Sequence, residues 1–266
     1  MQNILGIDVG ASGVKGALVD LQNGKLQGPR FRVPTPQPAT PEALAEAFAE
    51  VVAFFGHKGL VGCGFPSIVK NGIAYSAANI DPRWIGTSIE DVFGRACGTR
   101  VCATNDADAA GIAEIHFGAG KGEQGLVLLI TIGTGLGTAL FYNGMLVPNT
   151  ELGHLIWKNN KSAEADCSSG ARERLKISRP EWAKRFNAYL LHLERLFSPD
   201  LFILGGGESK YFDQYRDLIS PQARVLPAQL LNNAGIIGAA VFAAEAMGVI
   251  IAQPVPTNKP LPPALS

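Results

Sequence analysis

Residues 3–19 read NILGIDVGASGVKGALV, and residues 126–142 read LVLLITIGTGLGTALFY. Each is a short apolar run, a cluster of glycines and a second apolar run. The first run ends at Asp8 and turns through Gly10, Gly13 and Gly16 into a return strand, Val14 to Val19. The second reaches Thr131 and turns through Gly133, Gly135 and Gly137 into Thr138 to Tyr142. Apolar runs of this length bounded by glycine predict strands. Because the pattern occurs twice, the chain is expected to be built from two halves of related construction.

Asn23-Gly24 is a second hairpin signal, with a third strand expected at Phe31 to Val33. Prolines 34, 36, 38 and 41 interrupt regular structure, and Leu44, Ala47, Phe48, Val51, Val52 and Phe55 then follow helical spacing. Leu60 to Phe65 predicts a buried strand running into Pro66-Ser67, and Gly72 to Tyr75 a short hairpin arm. Val101 to Thr104 predicts a strand that delivers Asn105-Asp106, with a helix of small residues from Ala109 to Phe117. Ser178-Arg179-Pro180-Glu181 reads as a capping box opening a helix marked by Trp182, Phe186, Tyr189, Leu190, Leu193 and Phe197. Leu201 to Leu204 is a strand ending in Gly205-Gly206-Gly207, and Ala234 to Met247 a small-residue helix. Residues 253–266 hold five prolines and predict a disordered tail.

A chain of 266 residues admits one large domain or two intimate ones. Its 31 glycines are about 12% of the chain, against roughly 7% in ordinary proteins, so the chain turns often. Lys+Arg 23 balances Asp+Glu 23, so no whole-molecule field draws in nucleic acid or an anionic membrane. Neither partner is expected. Cys63, Cys97, Cys102 and Cys167 lack metal-ligand spacing and are expected as reduced thiols, without zinc. The N-terminus lacks signal-peptide character and the apolar runs are too short to span a bilayer. A cytoplasmic protein is expected.

Three glycine-rich turns lie at strand ends: Asp8–Gly13, Thr131–Gly137 and Gly205–Gly207. Without side chains, successive backbone amides can converge on an anion such as phosphate. One such turn fits a plain hairpin equally well; three, with hydroxyls at Ser12, Thr131 and Thr134, favour phosphate. None matches GxxxxGK(S/T) or a dinucleotide fingerprint. Asp106, fixed at a strand end, can take the proton of an attacking hydroxyl. Asn and Asp also cap helices, and Asp108 is the expected cap. Glu151 and His154, close together after a turn, suit sugar hydroxyls or a loop salt bridge. His57, His116 and His192 are expected to be solvated. Arg172, Arg174, Lys176, Arg179, Lys184 and Arg185 predict a solvated helix face, with a polyanion channel as the alternative.

Leu5-Gly-Ile-Asp-Val-Gly10 with Lys15-Gly16, Asn105-Asp-Ala-Asp-Ala-Ala-Gly111, Thr131-Ile-Gly-Thr-Gly-Leu-Gly137 and Glu151-Leu-Gly-His154 resemble the ROK sugar kinases. Within that family the chain looks most like the polyphosphate glucokinases, through Pro148-Asn-Thr-Glu-Leu-Gly-His154, His192-Leu-Glu-Arg195, Ser198-Pro-Asp200 and Pro227-Ala-Gln-Leu-Leu-Asn-Asn-Ala-Gly-Ile236.

The resemblance implies an actin-like α/β fold with ribonuclease-H-like sheets and two domains closing on a cleft. Residues 1–107 would form the first domain and 108–233 the second, with helix 234–250 packing back on the first. It implies transfer of a terminal phosphoryl group from polyphosphate, ATP or both to the 6-hydroxyl of glucose, with Asp106 as base. Gly64, Pro66, Ser67, Asn79, Asn105, Glu151 and His154 would bind the sugar. Asp8, Gly10, Ala11, Ser12, Lys15, Thr131, Gly133, Thr134, Gly135, Gly205, Gly206 and Gly207 would bind the donor, with Asp8 near Mg²⁺. A homodimer is also implied.

The family's cysteine-rich zinc motif is missing. Ser67 stands where glycine is expected and Ile156 where an acid is common. Glu208 adds a negative charge, and Lys210 stands alone where two lysines are frequent. The last three fall where a polyanionic donor would run. An ATP-only hexokinase of this family and a glucose-sensing protein without catalysis are the alternatives. Against the sensor, the first strand begins at residue 3, which leaves no room for a DNA-binding module ahead of it.

Overall fold

A computed structural model describes residues 3–249; the tail expected at 253–266 lies outside them. The first glycine pattern forms β1 (Ile4–Gly10) and β2 (Gly13–Asp20), antiparallel, with Asp8 opposite Lys15. β3 (Lys25–Val33) extends well before Phe31, as an exposed partner of β2. α1 (Pro41–Phe54) starts at a proline behind Thr40, whose hydroxyl accepts the Ala43 amide at 3.2 Å. β4 (Val61–Phe65) runs parallel to β1, and a small hairpin of β5 (Val69–Lys70) and β6 (Ile73–Ala74) follows. α2 (Ile89–Cys97) was not expected from sequence: nine residues carry too few apolar positions to show a period. β7 (Val101–Asn105) completes a sheet of order β3-β2-β1-β4-β7 and leads into α3 (Asp106–Phe117).

The second pattern forms β8 (Leu126–Ile132) and β9 (Leu136–Tyr142), followed by β10 (Met145–Val147). Short helices α4 (Glu164–Cys167) and α5 (Ser169–Leu175) precede α6 (Arg179–Phe197), which Ser178 caps as expected. β11 (Leu201–Gly206) and β12 (Arg224–Pro227) run parallel to β8. The order β10-β9-β8-β11-β12 repeats the first sheet strand for strand and sense for sense.

α3 and α7 (Ala234–Ala246) lie between the sheets, in a core that draws on both. α7 packs against α3, β1 and β4. This approach demands glycine: a Cβ on Gly6, Gly62 or Gly238 would overlap backbone of Ile236, Ala239 or Ala109 respectively. The outer face of the first sheet is closed by α1 and α2 through Phe48, Phe65, Trp84 and Phe93. The outer face of the second is closed by α6 through Trp182, Phe186, Tyr189 and Leu190.

Three expectations are corrected. The last helix ends at Ala246, short of 250. Asn105, not Asp108, caps α3: its Oδ1 accepts the amides of Ala107 at 2.8 Å and Asp108 at 3.0 Å. Asp108 lies inside the helix, fully buried. Of the three histidines expected to be solvated, His57 and His192 keep part of their surface exposed and His116 does not. His116 is buried where α7 covers the end of α3, with Nε2 3.2 Å from a Glu245 carboxylate oxygen. His57 Nε2 lies 3.0 Å from the Leu60 carbonyl, and His192 meets Trp157 edge-on at 5.2 Å.

Candidate active site

The carboxyl ends of β4 and β7 face the turns of the second sheet across a cavity of about 350 Å³. Its walls include Pro66, Ser67, Asn79, Asn105, Asp106, Glu151 and His154 from the expected sugar set. From the expected donor set they include Ala11, Thr131, Gly133, Thr134, Gly135 and Gly206. Asp8, Gly10, Ser12, Lys15, Gly64, Gly205 and Gly207 are not part of this lining. Gly64 lies beside Ala109 and Asp106, where a Cβ would meet Ala109 at 3.4 Å and the Asp106 backbone at 3.7 Å, ordinary contact distances.

Asp106 is the first residue of α3, and Asn105 bears the capping that would otherwise occupy it. One Asp106 oxygen accepts the Ala107 amide at 2.8 Å, while the carboxylate faces the cavity. Burial pushes its carboxyl up to about 7, helped by the negative charges of Asp8, Glu151 and Asp108 and opposed by the Ala107 amide. Asp8 is likewise raised by burial, against the pull of Lys15 Nζ at 3.7 Å. Gly235 of α7 leaves space for the Asp8 carboxyl, which a Cβ would approach to 2.9 Å.

Asn105 Nδ2 donates to the Ser67 carbonyl at 3.0 Å, tying the two strand ends together. The Ser67 hydroxyl lies 2.8 Å from the Ser76 carbonyl and 3.2 Å from the Ser76 amide. It therefore closes the base of the β5–β6 hairpin.

The loop bearing Glu151 is held from both sides. Asn149 exchanges hydrogen bonds with the Val69 backbone at 2.8 and 2.9 Å, and its own amide donates to Asp108 Oδ2 at 2.8 Å. The Thr138 hydroxyl accepts the Leu152 amide at 3.1 Å and bonds the Thr150 carbonyl. Burial raises Glu151, with His154 opposing; His154 Nε2 lies 3.9 Å from Glu151 and 4.0 Å from Glu164. Burial pushes Asp108 up to about 7.

Sequence reasoning missed Glu164, Ser76, Asp108 and Asn149. Glu164 joins the cavity wall and approaches the Leu136 amide at 3.4 Å. The adjacency of Pro148-Asn149 to Glu151 was the available signal for Asn149.

In the second turn, the Gly133 amide is consumed by the Gly135 carbonyl at 3.0 Å. The Thr134 and Gly135 amides make no hydrogen bond to another described residue, nor do those of Ala11 and Ser12 at the hairpin tip. In the third turn, Gly206 has φ 78°, and a Cβ there would overlap the Ile132 backbone. Among the described residues, no cluster of three or more His, Cys, Asp or Glu could hold a metal ion. No helix among them is long and apolar enough to cross a membrane.

Residues 4–175 match the family model described as ROK family. The chain belongs to the ROK family. It is 48% identical over 237 residues to the polyphosphate glucokinase of Mycobacterium tuberculosis, covering 89% of each chain. It is 30% identical to the glucokinase of Streptomyces coelicolor, covering 91% of this chain and 97% of that one. The crystal structure of inorganic polyphosphate/ATP-glucomannokinase from Arthrobacter sp. strain KM superposes with a TM-score of 0.89 at 47% identity, covering 92% of this chain and 100% of that one. A ROK family glucokinase from Streptomyces griseus, in complex with glucose and AMPPNP, superposes with a TM-score of 0.78 at 27% identity, covering 92% of this chain and 100% of that one. The architecture is the actin-like one, with ribonuclease-H-like sheets, as the sequence resemblance implied.

Proposed function

We propose that this ROK protein is a glucokinase that transfers a terminal phosphoryl group from inorganic polyphosphate and from ATP to the 6-hydroxyl of glucose. The observation that carries the reading is Asp106: a buried carboxyl near neutrality on the cavity wall, facing the glycine turns. The identity to the polyphosphate glucokinase supports the donor and acceptor classes.

Asn79, Asn105, Glu151 and His154 would orient the sugar so that its 6-hydroxyl meets Asp106. Asp106 accepts the hydroxyl proton as the O6–phosphorus bond forms and the bridging phosphorus–oxygen bond to the donor breaks. A base with a pKa near the working pH suits this task. The open amides of Ala11, Ser12, Thr134 and Gly135 would hold the donor oxygens in line, and such positioning supplies most of what phosphoryl transfer needs. Mg²⁺ typically binds through one or two carboxylates plus substrate phosphates; Asp8, beside the donor turn and paired with Lys15 at 3.7 Å, is the carboxylate that would supply one. When bound, the ion would neutralise phosphate charge. We further read residues 1–107 and 108–233 as domains that close over the sugar and so discriminate against water, in a cytoplasmic homodimer.

A coupled glucose-6-phosphate assay with each donor supplied separately tests the reading. Product with both donors is expected. Product with ATP alone leaves an ATP-dependent hexokinase, and none with either donor leaves a glucose-binding protein without catalysis.

A further inference from the structure

The sequence predicts a solvated face for the basic residues of α5 and α6, with a polyanion channel as the alternative, and a negative charge at Glu208. The structure joins them. Glu208 is 2% exposed. Arg172 Nε lies 3.4 Å from one of its carboxylate oxygens and Arg179 Nε 3.1 Å from the other. Ser169 Oγ donates to the first oxygen at 3.0 Å. Arg179 is fixed further: it donates to Gln214 at 2.7 Å and stacks on Tyr211, 3.8 Å from the ring centre.

This cluster adjoins the cleft on two sides. Glu208 lies two residues beyond Gly206, which lines the cavity. The Gly170 amide of α5 donates to the Gly133 carbonyl in the second turn at 3.1 Å. Both guanidiniums keep part of their surface in solvent.

We infer that Glu208 is a donor-specificity residue: by binding Arg172 and Arg179 together, it reduces their two positive charges to one where a long polyanion would leave the cleft. The inference rests on the donor reading of the glycine turns. ATP carries three phosphates and ends in a neutral nucleoside. Polyphosphate continues as a chain of negative charges. A charge beyond the third phosphate therefore acts on polyphosphate more than on ATP, and Glu208 restrains polyphosphate use. Glu208 acts through the two arginines and is a positioning residue.

The test is a charge ladder. Glu208→Gln raises the cluster by one positive charge, and Arg172→Gln lowers it by one. Each is assayed in the full-length protein for competition by inorganic polyphosphate against ATP in ATP-driven glucose phosphorylation, and for polyphosphate-driven turnover, at several salt concentrations.

Polyphosphate affinity should rise about threefold in Glu208→Gln and fall about threefold in Arg172→Gln, as expected for one charge across a few ångströms of solvated surface. The ATP KM should move less. The salt dependence of polyphosphate binding should steepen or flatten by about 0.7 per charge, the slope of a single-stranded polyanion. Arg172→Gln alone tests the direction should Glu208→Gln fail to fold. The inference is overturned if the two variants move polyphosphate affinity the same way or not at all, if ATP shifts equally, or if polyphosphate does not compete. Competition without turnover in the unsubstituted protein would defeat the donor reading, while the ladder would still decide the role of Glu208.

Discussion

In the first sheet, β4 and β7 end in Phe65-Pro66-Ser67 and Asn105-Asp106. In the second, β11 and β12 end in Gly205-Gly206-Gly207 and Pro227-Ala228. The strand orders are the same. The parallel strands thus end differently: β4 and β7 in polar side chains that can accept and orient hydroxyls, β11 in bare backbone that can approach an anion. The outer layers of the two sheets differ too, since α1 and α2 cover the first and α6 the second. Sheet order is therefore shared between the halves, while strand-end composition differs.

The sharpest way to break this comparison is to neutralise the acid of the first sheet. Asp106→Asn should lower kcat by about 10²–10⁴-fold, the usual worth of general-base assistance, while a glucose titration shows binding retained. Equal loss of both would make Asp106 a sugar-binding group. With Asp106 as the proposed base and its carboxyl pushed up to about 7 by burial, turnover should fall as the pH drops below neutrality. A profile flat from pH 5 to 8 would contradict that role.

A smaller effect probes the second sheet. Gly206→Ala places a side chain at φ 78° against the Ile132 backbone and should cost at least about 1–2 kcal/mol in denaturant unfolding. At Gly207 a Cβ would meet nothing within 4 Å, so alanine should be tolerated there within about 0.5 kcal/mol. Equal stabilities would show that the backbone at Gly206 is not constrained.

The smallest effect concerns Asp108. Its carboxyl is pushed up to about 7 in the fold, whereas an unfolded carboxyl ionises near 4. Ionisation therefore penalises the fold progressively from about pH 4 to 7, and the full penalty is present above about pH 7. Asp108→Asn should raise stability at pH 8, a gain that fades toward pH 4. Thermal melts at both pH values check this, and a loss at pH 8 would show that the Asn149 contact needs the carboxylate.

Much of this was legible before the structure. β1 and β8 are nearly unbroken apolar runs closed by glycine, so strands, turns and internal duplication could be read locally. Asp106 was visible because a strand ends just ahead of it. What stayed hidden depends on partners far away in the chain. Asp108 looked like a cap, but Asn105 takes that work and Asp108 instead holds Asn149. Glu208 and Arg172 carry no signal of each other until α5 is packed beside the end of β11. His116 looked like a surface residue until α7 covered it. Such pairings are chosen by packing, which no local period records.

A crystal structure of the protein with glucose tests the central claim most directly. The account predicts the 6-hydroxyl oxygen within about 2.6–3.2 Å of an Asp106 carboxylate oxygen, with the glycine turns open on its far side. A sugar bound with that hydroxyl turned away, and Asp106 engaged by the Ala107 amide alone, would contradict it.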